Sequence, residues 1–284
     1  MSLLKCGKVY NLLGIDFEEW YHPELIQKNL DIKKKTPKMV KGIDKILEWL
    51  QKNEISATFF LVGEILEDNP ELIDKICQNE HEVAFHSMHH KRLDLQNEEI
   101  FSNEIKIFQK LCDNKSIGFR APTFSLNKSS SWLIDVLTNH NYQYDSSIVP
   151  AKTELYGLPN AETKPYKISK LNLEKNSEGG KIIEFPLLTT KIFGKKIPAG
   201  GGFYLRTLPM KFLENAIKYQ NSRNIPSTFY IHSWELTPEF MPKLNLPWKD
   251  KFITYHNLNK ALPKMDNIIK KFKFTSFKKY ISKI

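Results

Sequence analysis

Residues 57–87 read ATFFLVGEILEDNPELIDKICQNEHEVAFHS, and this stretch decides the fold. The run 57–63 is the longest clean apolar run in the chain. It has the length of one buried strand and falls far short of the ~20 residues that cross a membrane. Asn69-Pro70 supplies a cap followed by a proline suited to the first helical turn, predicting a helix to about residue 79. Residues 82–87 return to a strand. Strand, helix and strand in so few residues make a crossover unit, which joins parallel strands with a right-handed sense.

The same alternation extends outward in both directions. Upstream, residues 9–16 (VYNLLGID) read as a buried strand, and Thr36-Pro37 opens a helix with Val40, Ile43, Ile46, Leu47 and Leu50 on one face. Downstream come a helix over 97–111 with Phe101, Ile105 and Phe108 in a stripe, a strand over 117–120, a helix over 128–139 and a strand over 142–148. The second half is less regular. Residues 181–191 look extended, 209–221 helical, 228–234 (TFYIHSW) strand-like, 237–256 loop-like and 257–271 helical. About seven strand–helix units favour a closed or nearly closed β/α barrel. No Gly-, Ser- or Pro-rich linker divides the chain. The expectation is one domain over residues 1–284, with an irregular insertion at about 150–205.

Hydrophobic residues make up 41% and aromatics 12%, which excludes wholesale disorder. The net charge of +10 suits an anionic partner or simply reflects a lysine-rich composition. Lys33-Lys34-Lys35 is the one run, and no basic segment is interleaved with aromatics, so nucleic acid is not an expected partner. Cys6, Cys77 and Cys112 are too few and too odd in number for a disulfide framework and fit a reducing compartment. The start, Met1 to Cys6, lacks the apolar stretch of an export signal. A cytoplasmic location is expected, with at most peripheral association with the inner membrane.

In a β/α barrel the chemistry collects at the C-terminal ends of the strands. The residues there form a coherent polar set: Asp16, Glu18 and Glu19; His86, Ser87, His89 and His90; Arg120; Asp145; and His232, Trp234 and Glu235. In His86-Ser-Met-His-His90, two histidines four apart on a helical turn can reach one cation, and the pair three apart competes. A carboxylate completes a set with open positions for water and substrate. Asp16-Phe-Glu-Glu19 offers three carboxylates for two tasks, one binding a cation and one accepting a proton from water. Arg120 can pair with the base and orient it. His232, late in an apolar strand, suits protonation of a departing nitrogen.

These motifs, in this order, resemble the polysaccharide deacetylases, the NodB-homology enzymes of carbohydrate esterase family 4. The matching segments are Asp16/Glu18/Glu19, His86-Ser-Met-His-His90, Arg120-Ala-Pro122, Asp145-Ser-Ser147 and Ile231-His232, and the likeness covers about residues 9–275. Gly200-Gly-Gly-Phe203, His232-Ser-Trp-Glu235 and His22 resemble the exopolysaccharide-locus branch. The resemblance implies a distorted β/α barrel of about seven parallel strands and one divalent metal: zinc, with cobalt, nickel or manganese as alternatives. It selects His86 and His90 over His89. The third ligand is Glu18 or Glu19: the usual pair of adjacent aspartates is here interrupted by Phe17, and strand alternation puts residues 16 and 18 on one face. By the same resemblance Asp16 is the base, Arg120 its partner and His232 the acid. Asp145, Tyr204 and Trp234 are expected at the substrate, with Asp145 as the carboxylate beside His232. The implied reaction is removal of N-acetyl or O-acetyl groups from a sugar or polysaccharide. The alternatives are a metal-free allantoinase-like or deformylase-like amidohydrolase and an inactive carbohydrate-binding relative.

Overall fold

Strand β1 (Tyr10–Phe17) is buried along all but its first residue and lies inside the sheet rather than at its edge. The computed structural model describes residues 9–29 and 35–284, so Cys6 and the pair Lys33-Lys34 fall outside the described residues. After β1 the chain forms α1 (Glu24–Gln27), α2 (Ile43–Lys52), β2 (Thr58–Leu61), α3 (Gly63–Asp68), α4 (Leu72–Gln78), β3 (Glu82–Phe85), α5 (Glu98–Leu111), β4 (Gly118–Phe119), α6 (Leu133–Asn139) and β5 (Tyr144–Asp145). The later part adds β6 (Tyr166–Ile168), β7 (Ile182–Glu184), the hairpin β8 (Thr189–Ile192) and β9 (Lys195–Pro198), α7 (Gly202–Thr207) and α8 (Met210–Asn221). Then come β10 (Thr228–His232), α9 (Ser233–Leu236), α10 (Trp248–Tyr255), α11 (Ala261–Ile269), β11 (Lys273–Thr275) and α12 (Phe277–Ile281).

The sheet runs β10-β1-β2-β3-β4-β5-β7-β6, with β11 also on β1. From β10 to β7 every pairing is parallel, and β6 alone is antiparallel. The chain beyond β7 returns to the free edge of β10 through the bridges Leu187↔Thr228 and Gly201↔Tyr230, which curls the sheet into the expected distorted barrel. Gly200 accepts from the Tyr230 N–H at 2.7 Å, and Gly201 (φ 138°) leaves no room for a Cβ against the Tyr230 carbonyl. The triple glycine is therefore a close backbone approach that draws the barrel shut.

Alternation along β1 sorts its two faces. Leu13, Ile15 and Phe17 join the large core between sheet and helices, where α2 contributes Ile43, Ile46, Leu47 and Leu50. Leu12 points inward with Phe60, Ala84, Tyr144, Phe185 and Phe277 at the barrel floor. One layer up, Gly14 carries no side chain because the Arg120 guanidinium, 4.0 Å above the Phe60 ring, occupies that space. Asp16 follows on the same face, so the inner wall passes from apolar floor to polar rim within one strand.

Several expectations need correction. Thr36-Pro37 does not cap α2; the helix starts at Ile43 after a 3₁₀ turn over Met39–Gly42. That turn is capped from elsewhere in the chain, by Glu19. Residues expected to be a loop at 237–256 contain α10, and β11 and α12 extend the chain's order beyond the predicted last helix. Helix α5 forms where expected and is capped by Asn97, which accepts from the Ile100 N–H at 2.9 Å. Among the described residues no helix is long and apolar enough to cross a membrane.

His81, just before β3, accepts from the Ala57 N–H at 3.3 Å, and burial pulls its pKa down from 6.5 to about 4. The unfolded chain then binds a proton between about pH 6.5 and 4 that the folded chain refuses, so stability falls as pH drops through that window. Thermal midpoints from pH 7.5 to 4 are expected to decline less steeply in His81→Gln than in the parent; parallel curves would remove His81 from the acid response.

Candidate active site

The loop after β3 is not a helical turn. Ser87 (φ 61°) and His90 (φ 52°) sit in the left-handed region, and this curl brings the His86 and His90 rings to 4.9 Å. The loop is held by the turn after β2, where the Gly63 and Glu64 N–H groups donate to the Ser87 and Met88 carbonyls at 2.9 Å. Met88 packs onto Gly63, a position with no space for a Cβ. His89 turns outward, 61% exposed, with Nδ1 on Glu64 at 2.8 Å.

Glu18, His86 and His90 are all buried, and one ligand atom from each lies within 4.8 Å of the others. The His86 Nδ1 is 2.7 Å from the Arg120 carbonyl. A carbonyl only accepts, so Nδ1 carries the proton and Nε2 keeps its lone pair. Burial lowers the His86 pKa to about 4, leaving the ring neutral, the form that binds metals. Glu18 Oε1 accepts from the Trp234 Nε1–H at 3.0 Å. Its other oxygen stands 2.7 Å from His90 Nε2, yet among the described residues it has no hydrogen-bond partner of acceptable geometry. Burial works to raise the Glu18 pKa, but the imidazoles of His90, His232 and His86 outweigh it and hold the carboxyl far below its ordinary range. A buried, ionised carboxylate with one unsatisfied oxygen aimed at two imidazoles fits a divalent cation.

Glu19 is not part of this group. Its carboxylate accepts from the Lys38 and Met39 N–H groups at 2.8 and 2.9 Å, capping the turn before α2. Its own N–H donates to His22 Nδ1, whose Nε2 lies 2.7 Å from Glu64.

Asp16 and Arg120 form a buried pair, Nη1 to Oδ1 at 2.6 Å. The rest of the guanidinium donates to the Ser146 carbonyl at 3.1 Å and hydroxyl at 3.0 Å, so its direction is fixed from two sides. Across the β1–β10 pairing, Asp16 is the direct register partner of His232. The His232 ring stacks on Trp234 at 4.4 Å, with Nε2 at 3.8 Å from Glu18.

The carboxylate beside His232 is Glu235, not Asp145. Glu235 Oε2 lies 2.7 Å from His232 Nδ1 and also accepts from the His232 N–H at 3.1 Å. Its Oε1 pairs with Arg206 Nε at 2.6 Å, and both residues are fully buried. Burial alone would lower the His232 pKa, but the Glu235 carboxylate outweighs it and raises it. Asp145 lies under the site with no exposure, accepting from the Ser147 hydroxyl at 2.5 Å. Burial raises its pKa to about 6, and burial together with Asp145 raises that of Glu184 as well, so one proton stays with the pair. The pair shapes the 145–148 turn: Glu184 accepts from the Ile148 N–H at 2.9 Å, and Ser147 from the Ala121 N–H at 2.8 Å. Asp145 thus supports the Arg120 segment and does not face substrate.

Asp16, Glu18, His86, His90, His232 and Trp234 line one cleft of about 150 Å³. Phe203, rather than the expected Tyr204, contributes the α7 aromatic to its wall. Glu235 and Arg206 were not foreseen in these roles.

Residues 35–144 match the family model described as polysaccharide deacetylase, and residues 146–282 match that of a domain of unknown function, DUF3473. The peptidoglycan-N-acetylmuramic acid deacetylase of Bacillus subtilis is 26% identical over 132 residues, 38% of this chain and 50% of that protein. A chitooligosaccharide deacetylase of Rhizobium leguminosarum bv. trifolii is 30% identical over 96 residues, 33% of this chain and 42% of that one. The chain thus spans half or less of the length of these relatives. Among solved structures, a Mycobacterium smegmatis protein assigned to the polysaccharide deacetylases superposes with a TM-score of 0.61 at 13% identity, covering 98% of this chain and 91% of the other. An allantoinase superposes at 0.52 and 12% identity, over 93% and 86%. The fold is therefore shared more widely than any one reaction. Residues 35–144 thus carry the sequence features of the polysaccharide deacetylases, and residues 146–282 those of the domain of unknown function.

Proposed function

We propose that this protein is a metal-dependent hydrolase that removes acetyl groups, N-linked before O-linked, from a sugar of a surface or exopolysaccharide. The observation that carries the reading is the buried Glu18–His86–His90 group in one cleft with an Arg-paired carboxylate and a Glu-paired histidine. Glu18, His86 and His90 would hold the ion, which when bound supplies Lewis acidity toward water and the acetyl carbonyl. Asp16 accepts the proton of the attacking water, its carboxylate aimed by Arg120. His232, whose protonated form Glu235 favours, donates to the departing nitrogen. Trp234 fixes the Glu18 carboxylate through its indole N–H. The Gly200-Gly-Gly-Phe203 and His232-Ser-Trp-Glu235 motifs support a place in surface-polysaccharide synthesis.

The test is acetate release from a panel of N-acetylated and O-acetylated oligosaccharides, with and without added divalent metal. Metal-stimulated release from a sugar amide is expected; full activity after exhaustive chelation would favour the metal-free amidohydrolase. By calorimetry, His86→Ala and His90→Ala are each expected to lose more than the ~100-fold in metal affinity that an outer-sphere change costs. His89→Ala should change it little, and Glu18→Gln should weaken binding more than Glu19→Gln. Equal losses at His89 and His90 would overturn the ligand set.

A further inference from the structure

The mouth of the cleft is encircled by contacts that close on themselves. From α1, Glu24 accepts from Arg92 at 3.0 Å, and the same Arg92 nitrogen reaches the Leu155 carbonyl at 3.4 Å. Next to Leu155, Glu154 pairs with Lys249 on α10 at 2.7 Å. Next to Lys249, Asp250 accepts from Lys28 at 3.2 Å and Asn29 at 3.1 Å, which immediately follow α1. The loops after β1, β3 and β5 and helix α10 are thereby tied into one ring.

Exposed pairs such as Lys249–Glu154 hold little by themselves. The wall does not rest on them alone, because α10 is fastened from inside. The buried Arg206, already paired with Glu235, donates to the carbonyls of Ile253 at 2.8 Å, Thr254 at 3.2 Å and His256 at 2.6 Å. Inside the ring the walls are largely apolar: Leu25 and Ile26 from α1, Leu155 and Tyr156, and Ile253 from α10. The enclosed volume of about 150 Å³ is well below the ~300–1,000 Å³ of pockets that enclose a drug-sized ligand. It is of the size that accepts a single benzene-like ring.

A linear polymer presenting an internal sugar must enter on one side of the site and leave on another. A ring closed on all sides offers no such exit, whereas an end sugar can descend with its acetamido group leading. We infer that the cleft is a cup for the terminal sugar of a chain, and that internal sugars of a polysaccharide are excluded by the ring Glu24–Arg92–Leu155–Glu154–Lys249–Asp250–Lys28. This rests on the deacetylase reading above and specifies its substrate.

The test uses the metal-loaded protein and pentasaccharides of β-1,4-linked glucosamine, each carrying one acetyl group, at an end sugar or at the central one. Acetate release is expected to be at least about tenfold faster from an end position than from the centre. In Arg92→Ala combined with Lys249→Ala, the first side chain partly buried and the second exposed, the ratio should fall toward one because residues 154 and 155 are then tied to neither neighbour. Equal rates in the parent, or an unchanged ratio in the double variant, would overturn the cup. If free N-acetylglucosamine is cleaved and no pentasaccharide is, the chain-end assignment fails and the deacetylase reading stands. If neither is cleaved by protein that binds metal, it is the deacetylase reading that fails, and the substrate with it.

Discussion

Asp16→Asn is expected to lower the turnover of an N-acetylated sugar by about 10²–10⁴-fold, the usual contribution of a positioned base, with metal affinity close to the parent's. The amide keeps an oxygen toward Arg120 Nη1, so the direction of the side chain survives while its capacity to take a proton does not. Stability should drop as well. Arg120 has no exposure and loses its charge partner, and breaking a buried pair from one side costs about 3–5 kcal/mol. The carbonyl and hydroxyl of Ser146 still bind the guanidinium, which places the expected loss at the low end of that range. Steady-state kinetics, calorimetric metal binding and thermal unfolding on one preparation separate the effects. A variant that turns over normally would remove Asp16 from the chemistry.

The second large effect is expected at His232. An amide nitrogen leaves poorly as an anion, whereas an activated aryl oxide leaves without help. His232→Ala should therefore cut amide hydrolysis by about 10²–10⁴-fold and cut aryl acetate hydrolysis much less. The fold should tolerate the change, because Glu235 stays paired with Arg206 at 2.6 Å and is not left as an isolated buried charge. Equal losses on both substrates, with metal bound and the protein folded, would make His232 a binding residue.

How much of this was legible in the sequence depends on how far the deciding partner lies along the chain. The period of β1 put residues 16 and 18 on one face, and both line the cleft. The His86/His90 spacing was legible, but its geometry was not: the pair meets through two left-handed residues rather than a helical turn. Glu19 was ambiguous because its carboxylate is claimed by the backbone of Lys38 and Met39, a contact no local pattern encodes. Asp145 was misplaced for the same reason; its neighbour Glu184 comes from a strand that the sequence shows only as extended. Glu235 carried a readable signal, since His232 and Glu235 stand in the i, i+3 relation of a capping box at the start of α9. Arg206 carried none: its four partners lie on α9 and around the end of α10, a helix the proline-containing stretch concealed.

The position of β1 has a consequence for the nascent chain. Its residues Leu12 to Asp16 are made first but pair with Thr228 to His232, which leave the ribosome after all the other strands of the barrel except β11. At ~5–20 residues per second the interval is about 10–40 s, during which this five-residue, largely apolar edge of β1 has no partner. Such an edge recruits other strands unless an inward-facing charge spoils the match. Asp16 is that charge, at the last position of the waiting register. The carboxylate assigned here to proton transfer would thus also discourage intermolecular strand pairing while the protein is being made.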